Sequence, residues 1–315
     1  MSIRLSAVAT RLPQHVEPVA DFLVRQGLSP RERRVFDRVY SLRETRVLED
    51  GESFEELLLD AGAEALRGER ADLVLYGHTL LSQPMAYGTG FAGRVRRRLG
   101  TPGTPVFGVS QVACTSVLHS IDLAARYLTR TDGPERRVLV LGGDQGSVSD
   151  GPRFIPGVTV AGDGAAAVVV RRGHGRYALL ASARDKDTRF HQNLRLDEES
   201  APLYGAATAE GAVRVVRAAV ARAGLSLEDI DWVLPHHNNA MFWRSFSSMT
   251  GVPRSRIVLD LLPRYGHTFG IDGLLGVAHL DRAARLRPGE RCVLVALGQG
   301  AYFSALVIES KGQPC

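Results

Sequence analysis

A chain of 315 residues, 44% hydrophobic and 23% charged, can bury a large core as one big domain or two medium ones. Its net charge of +5 is carried almost wholly by arginine. No helix-turn-helix, zinc-finger or aromatic-basic pattern accompanies that charge, which argues against nucleic-acid binding. The start lacks the apolar core of a signal peptide, and no run of about 18 apolar residues is available to span a membrane. Three cysteines without paired spacing argue against a disulfide framework, so a cytoplasmic protein is expected.

In chain order, apolar residues at helical spacing predict a helix over 54–67, followed by a buried strand over 71–78. "GRVRRRLG" groups Arg94, Arg96, Arg97 and Arg98, either as a patch for phosphates or an acidic partner, or as a solvated helix face. "VFGVSQVACTSVLHSIDLAARYL" reads as a strand, a turn of small residues, and a helix with apolar Leu118, Ile121, Leu123, Ala125 and Leu128. Strands follow over 136–144 and 165–172. The glycine-rich "AGDG" before the second is a tight turn, lacking any phosphate-loop spacing. A helix over 211–223, a strand over 230–237 and a strand over 291–300 complete the pattern, with Cys292 as buried filler and Cys315 terminal and inert. Strands alternating with helices predict an α/β class.

The order repeats. Helix and strand at 54–78 match helix and strand at 211–237, and the segment around Cys114 matches that around His267. Cys114 lies about as far before its following strand as His267 does before its own. Two fused, pseudo-symmetric halves are expected, 1–172 carrying Cys114 and 173–315 carrying the histidine loops. Their matching loops would bring Cys114, His236, His237 and His267 together.

A random cysteine is more often core than nucleophile. Cys114, however, is expected at a helix N-terminus, where unpaired N–H groups and the macrodipole favour thiolate. Ala113, Thr115 and Ser116 leave room for a substrate. A thiolate nucleophile needs a base and donors for an oxyanion. "LPHHNNAMFW" supplies His236 and His237, "YGHTFGIDG" supplies His267 and Asp272, and the bend of "LGQGAYF" offers Gly298 and Gly300 for an oxyanion hole. Adjacent histidines fit poorly around one ion and no metal-ligand spacing appears, so no metal is expected.

Six segments in order resemble the ketoacyl-acyl-carrier-protein synthase III family of thiolase-fold condensing enzymes. They are "SLRETRVLED", "VACTSVLHSIDLAARYL", "VAGDGAAAVVV", "VLPHHNNA", "RYGHTFGIDG" and "LGQGAYFSALVIE", spread over nearly the whole chain. The resemblance implies a duplicated αβαβα five-layer fold, a homodimer, and acyl transfer onto Cys114 from a coenzyme A or acyl-carrier-protein thioester, with no permanently bound cofactor. The proline register puts His236 on the family's catalytic histidine. The family's asparagine falls on His267, and Asp272 follows five residues later. Cys-His-Asp is the arrangement of a base oriented by a carboxylate, and some relatives in antibiotic pathways that resemble it acylate a hydroxyl or amine without decarboxylation. The segment before 211 is shorter than the family's substrate cap, and Met241 stands where an arginine is expected, with Arg244 three residues on. Acyl-pocket residues are expected around Met85 and Tyr87.

The resemblance, with its departures at His267 and Asp272, implies an acyltransferase in specialised-metabolite biosynthesis. Cys114 takes the acyl group, and His236, oriented by Asp272 or assisted by His267, deprotonates a small-molecule acceptor. The alternatives are a decarboxylating condensing enzyme using Cys114, His236 and His267, and a non-catalytic partner subunit.

Overall fold

The computed structural model describes residues 2–81, 90–130, 136–191 and 199–312. Met85, Tyr87 and Cys315 lie outside the described residues. Ten strands share one hydrogen-bonded sheet: β1 (Ile3–Leu5), β2 (Ala9–Arg11), β3 (Leu73–Gly77), β4 (Val106–Val109), β5 (Arg137–Asp144), β6 (Gly164–Arg172), β7 (Tyr177–Lys186), β8 (Trp232–Leu234), β9 (Arg291–Gly298) and β10 (Tyr302–Ser310). Their order is β8-β9-β10-β7-β1-β6-β5-β3-β4, with β2 added to β6.

Both halves are wound alike. In the first, β3 runs parallel to β5, which pairs antiparallel with β6. In the second, β8 runs parallel to β9, which pairs antiparallel with β10. Even the outer partner is repeated: Val74 faces Val106 in parallel register, and Val233 forms a parallel bridge to Ile257.

Layering follows from the period-two alternation of strand side chains. Five helices flank the strands: α1 (Phe54–Leu66), α2 (Ser116–Arg130), α3 (Ser200–Arg222), α4 (Ala240–Thr250) and α5 (Asp272–Arg282). In β5, Val138 and Val140 join an inner cluster while Leu139 and Leu141 join an outer one with Leu58 and Ala65 of α1. In β9, Leu294 turns inward while Val293 and Val295 pack outward against Val215, Val216 and Trp243 of α3 and α4. The inner cluster also holds Val117, Leu118 and Ile121 of α2 with Leu274, Leu275 and Val277 of α5. The two inner helices are therefore a shared middle layer, and the fold is the expected αβαβα sandwich. Each such Leu or Val contributes about 1.5–3 kcal/mol by leaving water.

Helix α3 is longer than its apolar periodicity predicts, starting at Ser200 rather than 211, because its first turns are largely exposed and carry no apolar stripe. The arginine-rich segment is a helix over Phe91–Arg98 whose cations are mostly engaged internally. Arg94 grips Glu55 with two hydrogen bonds, Arg98 pairs with Asp60, and Arg96 donates to the Thr104 carbonyl. Those contacts favour the solvated-face reading over a phosphate patch.

The start of α2 is seated by glycines on neighbouring strand ends. A Cβ on Gly77 would lie 2.8 Å from Val117 Cα, and one on Gly142 would lie 2.8 Å from Val117 Cγ2. Such distances leave no space for a methyl group. Gly77→Ala is expected to push α2 off the sheet and cost about 1–3 kcal/mol, read as a lower urea midpoint with an unchanged slope.

Candidate active site

Chain direction brings the candidate residues to one end of the sandwich. β4 ends at Val109, and a 3-10 turn over Ala113–Thr115 presents Cys114 just before α2 begins. Ala113 has φ +48°, a conformation costly for a residue with a Cβ and a mark of strain concentrated at the turn. In the opposite half, β8 ends at Leu234 and leads into His236 and His237, while His267 and Asp272 precede and open α5.

His267 lies between the sulfur and the carboxylate. Its Nε2 is 3.7 Å from Cys114 Sγ, and its Nδ1 donates to Asp272 Oδ2 at 2.7 Å. Its backbone is pinned on both sides, His267 N–H donating to the Val160 carbonyl and Gly162 N–H donating to that of His267. Asp272 is saturated. Besides His267 it accepts the N–H of His237 at 2.8 Å and both the N–H and hydroxyl of Thr268, at 2.7 and 2.6 Å.

His236 stands beside this line. Its ring packs edge-on against that of His267 at 4.4 Å, and polar atoms of Cys114, His236 and His267 lie within 4.8 Å of one another. Its Nδ1 is 3.5 Å from Asp272 Oδ2 and buried without a hydrogen-bond partner. The Trp243 indole holds the residue by donating to its carbonyl at 2.7 Å. The carboxylate makes its short hydrogen bond to His267, whose loop places both residues on one turn, and meets His236 at the longer distance. His237 points elsewhere, with its Nδ1 on the Gly266 carbonyl at 3.2 Å.

The electrostatics separate the two histidines. Burial alone would lower the pKa of His267, but the Asp272 carboxylate and the Cys114 sulfur overcome it and raise it to about 10. His236 is pushed down to about 3 by burial and by the charge on His267. Burial would raise Asp272, yet His267, His237 and its hydrogen bonds hold it well below the usual carboxylate range. The site therefore has one charged imidazolium, one neutral imidazole and one carboxylate.

Gly298 closes the back of the nucleophile turn, where a Cβ would sit 2.8 Å from the Val112 carbonyl oxygen. Gly300, at φ +127°, shapes the bend into β10 against the Tyr302 ring. Thr268 and Trp243 are absent from the expectations because nothing in "GHT" or "MFW" shows that those side chains turn back on Asp272 and His236. Cys292 is fully buried, and burial pushes its thiol up, away from reactivity. No helix among the described residues is long and apolar enough to cross a membrane.

Residues 109–188 match the family model of 3-oxoacyl-[acyl-carrier-protein (ACP)] synthase III, and 220–310 match its C-terminal counterpart. Beta-ketoacyl-[acyl-carrier-protein] synthase III 3 of Streptomyces coelicolor is 29% identical over 83% of this chain and 84% of its own. The Aquifex aeolicus synthase III is 23% identical over 98% and 99%. Among solved structures, ChlB3, described as an acyltransferase, superposes with a TM-score of 0.84 at 22% identity, covering 99% of this chain and 98% of its own. The Pseudomonas aeruginosa synthase III, FabH, gives 0.82 at 22% identity over the full length of both. With both family segments covering more than half of its length, and the fold shared end to end, the chain belongs to the 3-oxoacyl-[acyl-carrier-protein] synthase III family of enzymes.

Proposed function

We propose that the protein is an acyltransferase that carries an acyl group on Cys114 from a coenzyme A or carrier-protein thioester to a hydroxyl or amine of a small molecule. One observation carries this reading: His267 bridges Cys114 and a fully buried carboxylate, with a 2.7 Å bond to Asp272. The imidazolium of His267 faces the Cys114 sulfur, which reacts as the thiolate. The thiolate attacks the thioester carbonyl, the bond to the donor sulfur breaks, and that sulfur leaves with the proton from His267 Nε2. Thioester formation removes the negative charge beside His267, which is now a neutral base. It takes the acceptor's proton as the oxygen or nitrogen attacks the acyl carbon, and Cys114 leaves as the thiolate again. Asp272 stays ionised throughout and holds Nδ1–H, so that Nε2 is always the reacting nitrogen. The neutral ring of His236 and backbone donors near Gly298 and Gly300 polarise the acyl carbonyl. The name of ChlB3 is in keeping with this chemistry. An exposed Phe107 on edge strand β4 supports the homodimer, since such an edge invites a partner.

A second reading is favoured by the closeness of His236. A neutral imidazole next to the sulfur suits the donor pair of a decarboxylating condensation. Incubation of the acylated enzyme with malonyl-coenzyme A or malonyl carrier protein separates the two. No carbon dioxide is expected. Stoichiometric carbon dioxide with a ketoacyl product would overturn acyl transfer to oxygen or nitrogen.

A further inference from the structure

One fully buried carboxylate near the site has no part in the chemistry above. Asp144, the last residue of β5, is inaccessible to solvent. It accepts the Thr79 N–H at 2.9 and 3.0 Å and the Leu80 N–H at 2.8 Å, binding the turn that follows β3. His78 fixes the same turn from the other side, its Nδ1 donating to the Leu80 carbonyl at 2.7 Å. Leu80, so held, packs on the apolar cluster of Cys114, Ala161 and Phe269. The sulfur thus has a polar flank of His236 and His267 and an apolar flank that ends at Leu80. An acyl group whose carbonyl faces the histidines has its first carbons against the apolar flank.

We infer that Asp144 is a positioning residue that sets Leu80 as a wall of the acyl seat, and that the wall limits the length of acyl chain the enzyme accepts. The inference rests on the acyl-cysteine reading above. A carboxylate suits the task because both its oxygens accept, and the Thr79 and Leu80 N–H groups converge on it. Asparagine keeps one acceptor and turns an NH2 group towards those donors. Burial raises Asp144 to about 7 against the pull of these hydrogen bonds, so the clamp is an expensive feature that ordinary packing does not require.

The test is a competition among short-, medium- and long-chain acyl-coenzyme A, with adducts on the intact protein read by mass. Leu80→Ala is expected to move the adduct distribution towards longer chains by about 10-fold, the scale of a few methylenes in an apolar pocket. Asp144→Asn moves it the same way, and the double variant goes no further than Leu80→Ala alone. A lower total adduct with an unchanged distribution, or additive shifts, would make Asp144 merely structural and overturn the inference. If Asp144→Asn does not fold, Asp144→Glu keeps the charge and displaces the turn, and a folded Asp144→Glu with the wild-type distribution overturns it equally. A wild-type protein that forms no adduct removes the acyl-cysteine reading itself, a result distinct from an unchanged chain preference.

Discussion

Cys114→Ala is expected to abolish the acyl adduct that wild-type protein forms with acyl-coenzyme A, with no residual labelling at Cys292. The loss is total because Cys114 is, among the described residues, the cysteine that meets His236 and His267. Cys292 lies fully buried in β9 with its thiol pushed up by burial, so it is neither accessible nor ionised. Intact-protein mass spectrometry reads the outcome directly. An adduct that persists in the variant refutes Cys114 as the acyl carrier. Absence of any adduct in the wild type, with every donor tried, favours the non-catalytic partner subunit. His267→Ala in the same assay tests the pairing. It retains the sulfur but loses the imidazolium at 3.7 Å, and acylation is expected to slow by about 10²–10⁴-fold, the usual range for a general acid–base partner.

Much of the architecture is legible in the sequence because an unbroken apolar run is a strong signal of a strand buried on both faces. The runs at 136–144, 165–172 and 291–300 fall on β5, β6 and β9 with ends shifted by no more than two residues. The internal repeat places Cys114 opposite His267, since both precede a sandwiched helix at matching points. The pairing of Asp272 is different in kind. Its position in "GHTFGIDG" is plain, yet which histidine it orients depends on the course of the 266–271 loop. There Gly266 and Phe269 both adopt positive φ and fold the chain back on itself. Phe269 is not a residue from which a left-handed conformation is expected. The family register puts His236 on the catalytic histidine, while the course of the loop sets His267 closer to the carboxylate, at 2.7 Å against 3.5 Å. The Asp144 clamp was equally hidden, because three hydrogen bonds across 64 and 65 positions leave no local pattern.

Asp272→Asn separates charge from shape. The amide is nearly isosteric, so the loop is retained, but one face now presents an NH2 group to donors that the carboxylate accepted. Two effects follow. First, His267 loses the main influence that raises it to about 10, and its pKa falls towards or below the usual histidine value because burial then dominates. In wild type the imidazolium persists through neutral pH and is lost only as pH rises through about 10. In the variant that loss moves to much lower pH, and the pH profile of Cys114 alkylation by iodoacetamide is expected to differ from that of wild type. Second, Nδ1 loses its dedicated acceptor, the ring is free to present the wrong tautomer, and acyl transfer falls by about 10²–10⁴-fold. The linkage sign gives an independent check. A histidine raised in the folded state contributes stability that is fully present below its unfolded value, near 6.5, and disappears as pH rises through the folded one. Asp272, held low, contributes above its unfolded value, near 3.9, and that contribution is lost in acid. Wild-type unfolding free energy, minus that of Asp272→Asn, is therefore greatest between those limits and shrinks towards pH 10. A difference that stays flat from pH 6 to 10 would mean that the His267–Asp272 pair holds no proton of consequence, and the Cys-His-Asp assignment would fall with it.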